Sequence, residues 1–184
     1  GNVHVPLILR LPGRIPAGQR LGGFVRTFDL APSLLDYAGL GEVARAAGML
    51  GQSVRPLIDA GSHQGTTDVL YLTECTWMRK RAIRTREWKL ITALEPDFHG
   101  LPPRQLFHLP TAPTEQENLA AERREVAADL EGRLLAWVEQ RAKETGRPDP
   151  LSYQSITLRR ITGVRTAVPA DEKLYGEGGR DRHQ

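Results

Sequence analysis

The rhythm of apolar positions changes near residue 68. Before that point the chain shows one dense apolar run and one helical stripe; after it, short apolar runs alternate with charged or turn residues. Residues 3–11, VHVPLILRL, read as a buried strand closed by Pro12 and Gly13. Pro6 marks an edge or an irregular start. After a loop, VRTFDLAPSLLDYAGL (25–40) predicts a helix, with Asp29 as N-cap, Pro32 in the first turn and Gly39 as terminator. Leu30, Leu34, Leu35 and Ala38 fall on one face of it. GQSVRPLIDAG (51–61) reads as a turn-rich connection with one turn of helix.

From residue 69 on, VLYLTEC, KRAIRT, WKLIT and QLFHL are strand-like runs of the kind that build an antiparallel sheet. ALEPDFHGLPPR (93–104) is a Pro/Gly-rich loop within it. TAPTEQENLAAE leads into a long helix, whose stripe is Val126, Leu130, Leu134 and Val138 with Trp137 beside it. Thr114 and Glu117 have capping-box spacing. One helix laid over one small sheet is a self-consistent α+β unit. Past Gly146 the chain turns polar and Gly-rich, which predicts a partly disordered tail. There is no internal repeat.

Composition narrows the picture. The 184 residues suffice for one ordinary domain or one and a half small ones, and 40% hydrophobic content allows a real core. A net charge of +3 with only 6% aromatic residues falls short of a nucleic-acid signature. One cysteine excludes an internal disulfide framework, which fits either a reducing compartment or an exported protein without disulfides. No run approaches the roughly 18 apolar residues of a membrane span. The opening GNVHVPLILRLPG has no initiator methionine and enters an apolar run at once, so the expectation is a chain cut from something longer. The missing targeting signal then leaves the compartment open between cytoplasm and periplasm.

Few residues offer chemistry. Cys75, followed by Arg79 in CTWMR, has the outline of an activated nucleophile, because a thiolate needs a nearby cation or base. It ends an apolar run with no histidine near it in sequence, so a buried, inert cysteine is the expectation. Asp97 and His99 lie two residues apart on the loop and could share a metal, but a metal site needs three or more ligands and no third stands out. A solvated loop histidine is the default. His4 could look into a pocket at a strand end or simply pack. Arg10, Arg84 and Arg86 could bind an oxyanion through their forked donors or serve as ordinary surface cations. GLGEVARAAG follows a helix, the wrong context for a dinucleotide fingerprint.

The order of segments says more than any single residue. HVPLILRLPGRIPAG resembles the sulfatase stretch that reads "VPLIIRWPG". VRTFDLAPSLLDYAGL resembles that family's "DLAPTLLDLAGI" helix, and GQSVRPLIDAG its "GRSLLPLL-G" block. MRKRAIRTREWKLI resembles "AIRTxRYKLI", and QLFHLPTAPTEQENLA resembles "ELYDLxxDPxExxNLA". Five blocks in the family's order cover about residues 3–140. The resemblance implies the end of an alkaline-phosphatase-like α/β sandwich, followed by a small antiparallel sheet packed by one long helix. It implies that residues 1–62 close the large α/β domain, that 63–145 form the C-terminal subdomain, and that 146–184 are a tail.

Sulfatases act through a formylglycine made from Cys or Ser in a C/S-x-P-x-R motif, beside a divalent cation, usually calcium, on a sulfate ester of a small molecule or glycan. Trp77 stands where that motif requires proline, and Cys75 lies in the wrong block. No catalytic or metal residue of the family therefore carries over to a position here. The residues left as candidates for a substrate rim are His4, Asp97 and His99, with no nucleic acid as partner. The resemblance implies sulfuric ester hydrolysis in the full-length protein. Phosphonate or phosphate ester hydrolysis is a variant of the same scheme, and a non-catalytic fragment or interaction module is the competing reading.

Overall fold

A computed structural model describes residues 5–97 and 99–153. These fall into two compact units that divide between Leu70 and Tyr71.

The first unit is helical. A 3-10 turn, Thr27–Asp29, runs into α1 (Leu30–Tyr37), followed by α2 (Gly41–Ala46) and α3 (Arg55–Asp59). The sequence reading anticipated α1 and α3 but passed over α2. Gly39, at φ +80°, stops α1 where the sequence places the stop. Residues 5–11 carry no strand. A strand needs a partner edge for its N–H and C=O groups, Pro6 has no N–H to give, and the described residues place no second strand beside this run.

The buried face of α1 is not the leucine stripe. Leu34 is 63% exposed, whereas Asp29, Pro32, Ser33 and Tyr37 are buried. The irregular 51–55 segment decides this, because its backbone N–H groups are covered and need acceptors. Asp29, Ser33 and Asp36 sit at i, i+4 and i+7 on one side of the helix; the first two accept backbone N–H groups of that segment, and Asp36 accepts its side chains. Asp29 does not cap α1 with its side chain. Its carboxylate accepts from the backbone N–H of Arg26 (2.8 Å), from the Arg26 guanidinium (3.0 and 3.1 Å), from Gln52 N–H (2.9 Å) and from the Thr66 hydroxyl (2.6 Å). Ser33 Oγ accepts from Val54 N–H at 2.9 Å. Asp36 takes the Ser53 hydroxyl at 2.7 Å and the Arg55 guanidinium at 3.2 Å. Around this polar seam a small apolar cluster of Tyr37, Val54 and Ile58 gathers Leu9, Ile15, Leu21 and Val25.

Two distant segments of the unit also meet backbone to backbone. Phe24 bridges Thr67, and a Cβ on Gly23 would lie 2.1 Å from Gln64 O, while one on Gly65 would lie 2.3 Å from Phe24 N. Only glycine fits at either position.

The second unit holds the sheet: β1 (Leu70–Glu74), β2 (Lys80–Arg84), β3 (Trp88–Ala93) and β4 (Arg104–His108), in the order β1-β2-β3-β4. Each strand coincides with a run read from the sequence. Register aligns Ile83 with Leu90 and Leu90 with Leu106, and all three are fully buried. The helix α4 (Arg124–Thr145) packs on β2 and β3 through Ala127, Leu130 and Leu134, and Glu131 pairs with Arg104 of β4. Tyr71 of β1 stacks on Trp137 of α4, ring centroids 4.5 Å apart.

Thr114 and Glu117 do not cap α4, which starts at Arg124. The intervening segment covers the edge of β4 instead. Asn118 Oδ1 accepts from Leu106 N–H (2.9 Å), its amide donates to Arg104 O (3.1 Å), and Leu119 N–H donates to Leu106 O (2.8 Å). An edge strand left bare would invite pairing with another chain. Part of the expected tail is ordered: α5 (Pro150–Tyr153) buries Leu151, and Asp149 pairs with Arg81. Residues 154–184 lie outside the described residues.

Two outcomes follow. Leu90→Ala removes the centre of the sheet–helix core and lowers unfolding free energy by about 3 kcal/mol, read by urea denaturation followed through the tryptophans. Burial pushes the Asp29 carboxyl up, but its hydrogen bonds from Arg26, Thr66 and Gln52 outweigh that and hold it below its usual value of 3.8. A depressed carboxyl stabilises the fold fully above pH 3.8 and loses that contribution as pH falls through the lower folded value. In Asp29→Asn, hydrogen exchange at the Gln52 and Val54 amides speeds at neutral pH, and the acid-dependent step seen in the wild type is absent.

Candidate functional site

The β1–β2 loop (75–79) and the β3–β4 loop (94–103) lie at one end of the sheet, because antiparallel pairing returns both connections there. Asp97 and His99 stand on the second of these. His4 lies outside the described residues.

The end of the sheet is held by ion pairs that start at adjacent positions. Arg79 donates its backbone N–H to Glu95 Oε1 (2.9 Å), sets its guanidinium 3.4 Å from Glu95 Oε2 and reaches Leu151 O at 3.3 Å. Lys80 pairs with Asp97, whose carboxylate is fully enclosed. Leu94 N–H returns to Arg79 O at 2.9 Å. The cations that follow Cys75 in sequence, Arg79 and Lys80, pair with loop carboxylates. Cys75 itself is half-buried rather than enclosed.

The Asp97–His99 pair is brought together, but through the backbone. Asp97 Oδ1 accepts the His99 N–H at 2.7 Å, and Gly100 N–H bonds Asp97 O at 3.0 Å, which closes a turn. The Lys80 ammonium is the main cause that holds the Asp97 carboxyl below its usual range. Burial opposes it, and the N–H groups of His99 and Leu101 add to it. A carboxyl so held is no general acid near neutral pH. Its geometry suits a loop anchor that leaves the loop surface free to make contacts. His99 is exposed, as are Leu101 (45%), Leu94 (38%) and, on the neighbouring loop, Trp77 (61%). Trp77 is fixed from beneath: Glu74 accepts the N–H groups of Thr76 (2.7 Å) and Trp77 (3.2 Å), and Met78 is buried.

The remaining candidates are used locally. His63 Nδ1 accepts Gly22 N–H at 3.3 Å, and His108 Nδ1 meets Thr111 Oγ1 at 2.8 Å. Arg84 ends β2, Arg86 lies in the turn between β2 and β3, and Arg10 is exposed. Among the described residues no group of three or more His, Cys, Asp or Glu could hold a metal ion. The one cysteine lacks the proline two positions on. Among the described residues no helix is long and apolar enough to cross a membrane. Sequence reasoning missed the Asp29–Ser33–Asp36 seam. Its signal was present as three small polar residues at helical spacing on the face opposite the leucines.

Segment order and fold together define the C-terminal part of an alkaline-phosphatase-like α/β protein. The family profile described as N-sulphoglucosamine sulphohydrolase, C-terminal, matches residues 1–140, and the chain belongs to the sulfatase family. It is 32% identical over 149 residues to arylsulfatase K of Danio rerio, covering 76% of this chain and 26% of that protein. It is 24% identical over 167 residues to the N-acetylglucosamine-6-O-sulfatase of Bacteroides thetaiotaomicron, covering 85% and 28%. Among solved structures, Ps i-CgsB superposes with a TM-score of 0.52 at 21% identity, over 68% of this chain and 27% of that one. The chain thus spans about a quarter of the length of the curated relatives it matches.

Replacing Lys80 by Gln removes the main cause of the low Asp97 pKa. The Asp97 carboxyl, followed by NMR, then titrates closer to 3.8, and the His99 amide exchanges faster. An Asp97 titration unchanged from wild type would show that the Lys80 pair does not anchor the loop.

Proposed function

We propose that this chain is the C-terminal portion of a sulfuric ester hydrolase, with the reaction carried by residues of a longer protein. The profile match across residues 1–140, with the five blocks in family order, carries this reading. On it, residues 1–62 complete the large α/β domain, 63–145 are the C-terminal subdomain, and 146–184 follow as a tail. The nucleophile, as formylglycine, and the divalent cation, usually calcium, come from other parts of that protein. There the cation would offset charge on the sulfate oxygens as the ester bond breaks.

This chain's contribution is then structural closure and part of a substrate rim. The rigid loops at the end of the sheet support that role: exposed Trp77, Leu94, His99 and Leu101 sit on ground held by the Arg79–Glu95 and Lys80–Asp97 pairs. His4, outside the described residues, is a separate rim candidate on the sequence alone. The substrate class that fits is a sulfate ester of a small molecule or glycan. Ps i-CgsB has been solved with a neocarrahexaose, a saccharide ligand of that protein.

The chain alone, assayed on an aryl sulfate with calcium, is expected to release no sulfate above background, and Cys75→Ala to change nothing. Turnover by the chain alone that disappears in Cys75→Ala would overturn the reading. The reading frame upstream of Gly1 in the gene is expected to encode C/S-x-P-x-R; a phosphohydrolase-type Thr or Ser in another context there would move the chemistry to phosphate esters.

A further inference from the structure

The first 28 residues contain four arginines and no aspartate or glutamate, although the whole chain is nearly charge-balanced. Arg26 is committed to Asp29. The other ion pairs of the first unit use Arg45 and Arg55. Arg10, Arg14 and Arg20 are exposed, and no ion pair among the described residues engages them.

Their outward placement is built into the packing. Each is the sequence neighbour of a residue that packs inward: Leu9 before Arg10, Ile15 after Arg14, Leu21 after Arg20. All three apolar neighbours pack against the same cluster of Tyr37, Val54 and Ile58. Local hydrogen bonds add to this. Arg14 N–H and Ile15 N–H both donate to Leu11 O, at 3.0 and 2.9 Å. The Gln19 amide donates to Ile58 O at 3.0 Å, one residue before Arg20. Three guanidinium groups thus stand on a short segment pinned at several points, so little order is lost when they bind.

We propose that Arg10, Arg14 and Arg20 form a non-catalytic binding strip for a sulfated polysaccharide. Guanidinium forks match the oxygens of a sulfate, and three exposed ones on a stretch of sequence without acid suit a polyanion. The first aromatic residue after the strip is Phe24, so the strip has no platform for stacking bases, which argues against single-stranded nucleic acid. The cationic strip stands on exposure, charge and the inward packing of its apolar neighbours; its assignment to a sulfated chain rests on the sulfatase reading above.

The test uses the full 184-residue chain. Binding to heparin is measured by fluorescence titration at several salt concentrations, beside desulfated heparin and a DNA duplex. Arg10→Gln/Arg14→Gln/Arg20→Gln is expected to weaken heparin binding at least tenfold. It also lowers the slope of log affinity against log salt by about three, one released counterion per arginine. The control Arg123→Gln/Arg124→Gln/Arg147→Gln removes the same charge from the second unit and stays within about twofold of wild type. Circular dichroism confirms the fold, and the single change Arg14→Gln gives a partial loss. Equal losses in both triple variants, or none in the first, would overturn the strip. Desulfated heparin or DNA bound as tightly as heparin would overturn the sulfated ligand while leaving a cationic surface. No outcome depends on turnover, so failure of the sulfatase reading shows separately in the sulfate-release assay.

Discussion

A buried carboxylate costs several kcal/mol unless its charge and lone pairs are met, and Asp29 meets both requirements by drawing three parts of the first unit to one point. Arg26 brings the entry to α1, Gln52 the segment before α3, and Thr66 the exit from the unit. None of these segments is regular enough to satisfy its own backbone. The orientation of α1 follows from this: the face with Asp29, Ser33 and Asp36 turns inward, and Leu34 turns outward. Apolar burial in the unit is modest, so polar geometry specifies the arrangement that the small Tyr37–Val54–Ile58 cluster then seals.

The second unit divides its tasks differently. Its core is conventional, three aligned aliphatic residues under one helix, and needs no polar direction. Specificity lies at the ends and edges, where Arg79, Lys80 and Arg81 reach Glu95, Asp97 and Asp149 in turn. Three consecutive cations thus tie the start of β2 to the β3–β4 loop and to the segment before α5. The loop that carries the rim candidates is therefore fastened before any ligand arrives.

Much of this could be read from the chain. Short apolar runs between charged residues gave the four strands within a residue or two, and period 3.6 gave the long helix, because both signals are local. The family resemblance rested on segment order and likewise needed no contacts. What escaped was non-local. Asp29 looks like a cap until Gln52 and Thr66 arrive beside it. Thr114 and Glu117 look like a capping box, but Asn118, an unremarkable polar residue in sequence, fixes that stretch along β4. The Asp97–His99 pair had ligand spacing but no third ligand, and the true partner of Asp97, Lys80, stands on β2, out of sight of the loop's own sequence. The expected strand is absent over residues 5–11 for a related reason: a strand is a property of two segments, and its sequence describes one.

The contact of Gly23 with Gly65 has a kinetic consequence. The Phe24–Thr66 hydrogen bond joins residues 42 apart, so the chain must close a long loop before the bond forms. The sheet of the second unit is a meander of adjacent hairpins, whose strand-to-strand contacts form over short stretches. Folding speed falls as contacts become less local, so the sheet can assemble promptly while the helical unit waits for its two glycines to meet. A side chain at either glycine would delay that meeting as well as strain its product, and the helical unit would spend longer open, its apolar segments exposed to other chains.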